Sequence, residues 1–169
     1  MKGEFTVNRL LIGLVGIAGA AGWLLAGANA RPAPQKSASS VDYLEGSAYQ
    51  KMRAFSPGVV TRGGKTIWVA GQTATQDASG KSLLGDFQGQ ARAAFAQIDS
   101  ILKRSGGSLH NLVTMTVFIN DPRNGDPFIK LRHDTFPDGK FPASALITVS
   151  NFAQPGILIE IQSVAVIPE

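Results

Sequence analysis

The sequence predicts an α+β fold in which one sheet carries two helices on the same face. Apolar residues recur at three- and four-residue spacing between Phe87 and Leu102, which is typical of an amphipathic helix. A run rich in β-branched residues, 112–120, follows this helix and predicts a strand. Two further strand-like runs, 141–149 and 157–166, end the chain. With strands before the helix and a shorter helix after 120, the order is strands, helix, strand, helix and two strands.

Three short strands are predicted before the long helix. Residues 51–56 form the first of them. Residues 59–62 and 66–70 flank Gly63-Gly64, a pair that is typical of a β-hairpin turn. Trp68 lies in the third strand and is expected in the core.

The long helix has signals at both ends. Its apolar stripe consists of Phe87, Ala91, Ala94, Phe95, Ile98, Ile101 and Leu102. Asp86 lies where an acidic side chain favours a helix start. Lys103 and Arg104 lie where cations favour a helix end, and Gly106-Gly107 predicts the stop.

The second half of the domain alternates between the two kinds of element. In the strand at 112–120, alternation separates two faces: Val113, Met115, Val117 and Ile119 on one, and Thr114, Thr116 and Phe118 on the other. A shorter helix is indicated by Phe128, Leu131 and Arg132, followed by Thr135 or Phe136. The strands at 141–149 and 157–166 complete the domain.

Placing both helices on one face leaves the other face of the sheet uncovered. Leu146 and Val164 are expected on that face. Because the domain has no further elements to cover them, association of subunits is the simplest cover.

The N-terminus has the pattern of a secretory signal peptide, residues 1–30. Lys2 and Arg9 precede an apolar run, 10–26, which is followed by the small-residue site Ala28-Asn29-Ala30. The alternative is an uncleaved membrane anchor, although the run is short for a helix that needs about 20 residues to span a bilayer. The expected location is the periplasm or the outside of the cell, with membrane contact only if residues 1–30 are retained.

Composition indicates where the folded domain begins and which kinds of partner it lacks. Residues 31–47 are rich in Pro, Ala and Ser and predict a solvated linker ahead of a domain at 48–169. The net charge is +4 and the basic residues are scattered, so no nucleic-acid partner is expected. The chain has no Cys, and His110 and His133 are isolated and expected at the surface. We therefore predict no metal site and no cofactor.

Four short motifs occur in order along this domain. They are Val69-Ala70-Gly71-Gln72, Met115–Asp121, Phe141-Pro142-Ala143 and the apolar run 157–166 that contains Glu160. In order and spacing they resemble the YjgF/RidA family, also called the endoribonuclease L-PSP family, over residues 48–167. The resemblance implies a chorismate-mutase-like subunit, a homotrimer with three clefts between neighbours, and a small-molecule substrate or ligand.

Glu160 is the candidate catalytic residue. Because Leu158, Ile159 and Ile161 flank it, we expect it to be partly buried, where its charged form is costly without a partner. The resemblance implies that the glutamate at this position helps to place a water that attacks an imine carbon. Alternatively, Glu160 points to solvent from a sheet edge or forms an ion pair at the seam of the trimer.

Ser144 distinguishes this chain from the deaminases of that family, in which an arginine follows Phe-Pro-Ala. Such an arginine would hold a substrate carboxylate by two parallel charged hydrogen bonds, whereas serine offers one neutral donor. The substitution favours substrates other than acidic 2-imino acids. In addition, Ala70 lies where many of those enzymes have a serine.

The predicted substrate-binding cleft is lined by Ala143, Ser144, Phe118 and Asn120. Arg132 and Arg62 are candidate replacement cations; alternatively, Arg132 lies on the solvent edge of the shorter helix and Arg62 lies beside the hairpin turn.

The predicted function is hydrolysis of a small imine or enamine, or of a related reactive nitrogen compound, in an intersubunit cleft. One alternative is a non-enzymatic trimer that binds a small ligand. A second is ribonuclease activity, for which the sequence offers neither paired catalytic residues nor a basic groove.

Overall fold

The computed structural model describes residues 38–169, which lie in one compact unit, Lys36–Glu169. The signal peptide or anchor predicted for residues 1–30 lies outside the described residues. Within residues 38–169, no helix is long and apolar enough to cross a membrane.

From residue 59 onward the elements follow the predicted order, and before it one strand and one short helix stand in place of the strand predicted at 51–56. The strands are β1 (Ser40–Tyr43), β2 (Val59–Arg62), β3 (Lys65–Gln72), β4 (Leu112–Ile119), β5 (Ala143–Thr148) and β6 (Ile159–Ile167). The α-helices are α1 (Ala48–Met52), α2 (Phe87–Lys103) and α3 (Gly125–Thr135).

One main sheet organises the domain. Its strand order is β3-β6-β4-β5, with β4 and β5 parallel and the other neighbours antiparallel. Helix α2 packs on β3 and β6 and against α3, and the core lies between these helices and the sheet. Strands β1 and β2 pair with each other in a separate two-stranded sheet. The predicted α+β class is confirmed.

Helix α2 forms as its sequence predicts. The Asp86 side chain caps it by accepting a hydrogen bond of 2.8 Å from the backbone N–H of Gly89. After the helix, the N–H of Gly107 donates to the carbonyl of Leu102 at 2.9 Å, and Gly106 has a φ of +84°. Glycine takes this left-handed conformation without steric cost, which explains the stop.

Alternation along the central strands creates two chemically different faces. On β4, Met115, Val117 and Ile119 are buried under the helices, and Thr114, Thr116 and Phe118 point the other way. Strand β6 follows the same division, because its Ser163, Ile161 and Ile159 lie opposite those three buried residues. We call the buried side the helix face and the opposite side the open face.

The region before β3 differs from the prediction. Residues 51–56 are not a strand, because a capping box between Ser47 and Gln50 starts helix α1 instead. Residues 40–43, placed in the linker by composition, form β1.

The predicted hairpin is also wrong, although both of its strands form. Strand β2 pairs with β1, and β3 pairs with β6. Gly63 and Gly64 both have positive φ, which lets the chain turn from the small sheet into the main one.

Two apolar side chains lie elsewhere than expected. Trp68 is 80% exposed, because its position opposite Val164 puts it on the open face. Leu146 lies opposite Val117 and packs on the core, so it belongs to the helix face. Val164 lies on the open face, as predicted.

Candidate functional site

Glu160 lies on the open face of β6, directly opposite Phe118 of β4. It is half-buried, as expected from its apolar neighbours. Among residues 38–169, no hydrogen bond or ion pair involves its carboxylate. A half-buried carboxylate of this kind is available to accept hydrogen bonds from a ligand or a water molecule.

Gly71 of β3 creates the space in which this carboxylate lies. A Cβ atom added to Gly71 would overlap Oε1 of Glu160 and lie 2.7 Å from its carboxyl carbon. The pairing of β3 with β6 is irregular between Val69 and Gln72, at the same place. Any residue other than glycine would therefore displace the carboxylate or the strand.

Two cavities meet at Glu160. One, of about 280 Å³, is lined by Phe118, Val149, Asn151, Phe152, Ala153 and Glu160. The other, of about 150 Å³, is lined by Gly71, Thr73, Phe152, Ala153, Gln154, Ile157 and Glu160. Phe152 contributes to both, so the segment 151–157 forms a shared wall beside the carboxylate.

Asn120 lies in a neighbouring cavity. This cavity, of about 430 Å³, is bounded by Asn120 and residues 151–158. The backbone N–H of Asn120 donates to the carbonyl of Leu158 at 3.3 Å. Asn120 and Phe118 therefore each line a cavity bounded by the same loop.

Gln90 of α2 holds that loop in place, and sequence reasoning missed it. Its side chain is fully buried. Its amide group donates to the carbonyls of Gly156 (2.8 Å) and Leu83 (3.1 Å), and its oxygen accepts from the N–H of Leu158 (2.8 Å). The sequence signal that could have identified Gln90 is its position beside the apolar stripe, between Phe87 and Ala91, where a polar side chain is expected to be buried and hydrogen-bonded.

Ser144 and Arg132 lie together, but on the other side of the sheet. Ser144 is opposite Met115 on the helix face, and its Oγ accepts a hydrogen bond of 2.6 Å from Nη1 of Arg132. Nη2 of Arg132 donates to the carbonyl of Arg53. The guanidinium also lies 5.3 Å from the ring centroid of Phe128.

Arg132 is 2% exposed, so its expected place on the solvent edge of the shorter helix is wrong. Burial, with a smaller contribution from nearby Arg53, lowers its pKa to about 10. It still carries its charge at neutral pH. Within residues 38–169, Nε has no hydrogen-bond partner. Arg62 is exposed at the end of β2.

The predicted site residues thus fall into two groups within one subunit. Phe118, Asn120 and Glu160 gather around the loop 151–158, whereas Ser144 and Arg132 interact on the helix face. Ala143 begins the edge strand β5, opposite Thr114. His110 and His133 are exposed, and no group of three or more His, Asp or Glu residues in 38–169 could hold a metal ion.

Comparison with known proteins places this fold. The family model described as Endoribonuclease L-PSP matches residues 45–167. The chain belongs to this family, which is the YjgF/RidA family. A RutC family protein of Pyrococcus horikoshii is 28% identical over 104 residues, covering 62% of this chain and 81% of that protein. The 2-iminobutanoate/2-iminopropanoate deaminase of Rattus norvegicus is 30% identical over 102 residues, covering 60% of this chain and 73% of that protein.

A solved structure supports the same fold. The Rid family protein YyfB of Yersinia pestis, of unknown function, superposes with a TM-score of 0.65 at 23% identity. The match covers 77% of this chain and 99% of the Yersinia chain. At this identity the likeness concerns the fold alone.

Proposed function

We propose that this protein hydrolyses a small imine or enamine, with the carboxylate of Glu160 orienting the attacking water. The observation that carries the proposal is the carboxylate itself, which is half-buried, unpartnered within residues 38–169, and exposed to two cavities. Leaving a desolvated acceptor without a hydrogen bond is costly, so a site of this kind favours a water or ligand that donates to it. The deaminase names of several relatives support the same reaction class.

In this reaction, water adds to the imine carbon, the carbon–nitrogen bond breaks, and a carbonyl compound and ammonia are released. Glu160 would accept the water proton as the carbon–oxygen bond forms and deliver it to the departing nitrogen. Phe118 and Phe152 provide apolar walls beside the carboxylate. Lower local polarity strengthens the electrostatic interactions of that group.

We further propose that the protein is a homotrimer, whose neighbouring subunits cover the open face. That face carries exposed Trp68 and a trough of about 430 Å³ that Thr116, Gln162 and Val164 also line. Exposed apolar surface of this kind is typical of interaction sites. Light scattering on the protein lacking residues 1–30 should give three times the subunit mass, and a stable monomer would contradict the proposal.

We also propose a periplasmic or secreted location. It rests on the signal-peptide pattern of residues 1–30. N-terminal sequencing of protein from the native host should begin near Arg31, and an intact Met1 on a cytoplasmic species would contradict export.

The decisive experiment compares Glu160→Gln with wild type for ammonia release from imines generated in place by an amine or amino-acid oxidase. The amide keeps the shape of the side chain but cannot accept the proton, so turnover should fall roughly 10²–10⁴-fold. Glu45→Gln is the matched control, because the Glu45 side chain is 84% exposed and pairs with Lys51. Both variants should remain folded.

Unchanged turnover in Glu160→Gln would remove this residue from the catalytic site. If wild type turns over no imine but binds small ligands through Glu160, the non-enzymatic alternative replaces the hydrolase. Cleavage of RNA that is insensitive to Glu160→Gln would instead support a ribonuclease with another site.

A further inference from the structure

We infer that the Glu160 cavities select a substrate that is positively charged at its reacting nitrogen and carries no carboxylate: the protonated imine of a simple amine. This inference rests on the proposed hydrolase function and specifies its substrate class. It departs from the 2-imino acids named for several relatives, which are anions.

The first argument is the charge of the cavity walls. Among the described residues, Glu160 is the sole titratable side chain lining either of the two cavities that meet at it. The adjoining cavity beside Asn120 has no titratable side chain in its wall. Within one subunit, a substrate carboxylate in this space would therefore face a like charge, and a cation would face an opposite one.

The second argument is that Arg132, one of the two candidate cations, is used elsewhere. Arg132 is 98% buried on the helix face, where Ser144 and the carbonyl of Arg53 accept its hydrogen bonds. The sheet itself separates it from Glu160, because Ser144 and Glu160 lie on opposite faces. Among the described residues of one subunit, no arginine lines the two cavities at Glu160.

The third argument is the nature of the other walls. The rings of Phe118 and Phe152 border the same cavity as the carboxylate. Aromatic faces attract organic cations, and a carboxylate beside them adds an opposite charge. Asn151 and Gln154 also line these cavities, and their side chains carry neutral amide groups that can accept hydrogen bonds from N–H donors. Cavities of about 280 and 150 Å³ are of a size that suits a small molecule.

The reaction balances without any further reactant. An iminium ion, R₂C=NH₂⁺, and one water give R₂C=O and NH₄⁺. The water oxygen forms the new bond to carbon, the carbon–nitrogen bond breaks with its electron pair on nitrogen, and both water protons end on the ammonium. Two-electron oxidation of primary amines is the class of reaction that supplies such imines.

The test measures binding of three size-matched probes to the full-length protein by calorimetry at pH 7: benzylammonium, benzyl alcohol and benzoate. Benzylammonium should bind about tenfold more tightly than benzyl alcohol, equivalent to about 1.4 kcal/mol, and benzoate should bind most weakly. Glu160→Gln should abolish the advantage of benzylammonium, and the exposed control Glu45→Gln should retain it.

The contrary results are equally specific. Benzoate binding as tightly as benzylammonium, or a benzylammonium affinity that Glu160→Gln leaves unchanged, overturns the charge preference, as does failure of benzylammonium to bind. Because binding needs no turnover, the two proposals can fail separately. Glu160-dependent hydrolysis of 2-iminopropanoate together with tighter benzoate binding would keep the hydrolase and reject the cationic substrate. Glu160-dependent benzylammonium binding without turnover of any imine would keep the preference for a cationic ligand and reject the hydrolase.

Discussion

The two faces of the main sheet differ in the burial and hydrogen bonding of their charged side chains. On the helix face, Arg132 is almost fully buried and donates to Ser144 and to the carbonyl of Arg53. On the open face, Glu160 is half-buried, and no group within residues 38–169 donates to it. The guanidinium of Arg132 links α3 to β5 and to the end of α1, whereas the carboxylate of Glu160 is available to a ligand.

This contrast suggests that the charged side chain on the helix face stabilises the fold, whereas the one on the open face serves function. A buried charge whose hydrogen bonds are made by the protein destabilises the fold when it is removed, because its partners lose their donors. A charge that faces cavities contributes little to the fold, so its removal should mainly affect ligands. The predictions below test whether the two faces divide these roles.

The largest change in stability is expected from Arg132→Ala. The change leaves a cavity and deprives Ser144 and the Arg53 carbonyl of their donors, while it also relieves the cost of a buried charge. We expect a net loss of about 2–4 kcal/mol in the free energy of unfolding, measured by urea denaturation. Arg62→Ala, at an exposed position, is the control and should change it by less than about 0.5 kcal/mol. Full stability combined with lost ligand binding would instead make Arg132 a substrate-binding cation.

Gln90→Leu should affect both properties, because Gln90 links α2 to the loop beside Glu160. Leucine keeps most of the volume but leaves the carbonyls of Leu83 and Gly156 without their donor. We expect a loss of about 2 kcal/mol in the free energy of unfolding and a lower rate of imine hydrolysis. Gln97→Leu, on the exposed side of the same helix, should change neither. Lost stability with unchanged turnover would mean that the loop does not position the site.

Elements with strong local signals could be predicted from sequence. Helix α2 has an apolar stripe, an N-terminal cap and a glycine stop, and each forms as expected. The faces of β4 from Thr114 to Ile119 follow from alternation, and the partial burial of Glu160 follows from its apolar neighbours. At the start of the strand, a register shift between Leu112 and Thr114 puts Leu112 in the core in place of the predicted Val113. These features depend on residues close together in the chain.

Features that depend on distant pairing could not be predicted. The Gly63-Gly64 turn suggested a hairpin, but the partner of β2 is β1, which lies in a segment without apolar periodicity. Burial of Arg132 requires the register of β5 against β4 and the packing of α3. The motif containing Gly71 was recognised, but its steric role depends on where β6 places Glu160.

The smallest change in stability is expected from Gly71→Ala. This variant tests the open face most directly, because it moves the Glu160 carboxylate without changing Glu160 itself. The new Cβ would overlap the end of the Glu160 side chain, which is flexible and can swing away at little cost to the strand. The free energy of unfolding should therefore change by less than about 1 kcal/mol, partly because alanine also restricts the unfolded chain. Turnover should fall about tenfold or more, since displacement of a catalytic group by about 1 Å can cost up to roughly 10² in rate.

Gly125→Ala is the matched control for this change. Gly125 begins α3 on the helix side, and a Cβ there would lie in ordinary contact, 3.8 Å from Cδ2 of Leu146. This variant should keep both its stability and its activity. A Gly71→Ala protein that hydrolyses imines at the wild-type rate would show that the position of the Glu160 carboxylate does not matter. The proposal that the open face carries the functional charge, Glu160, would then be wrong.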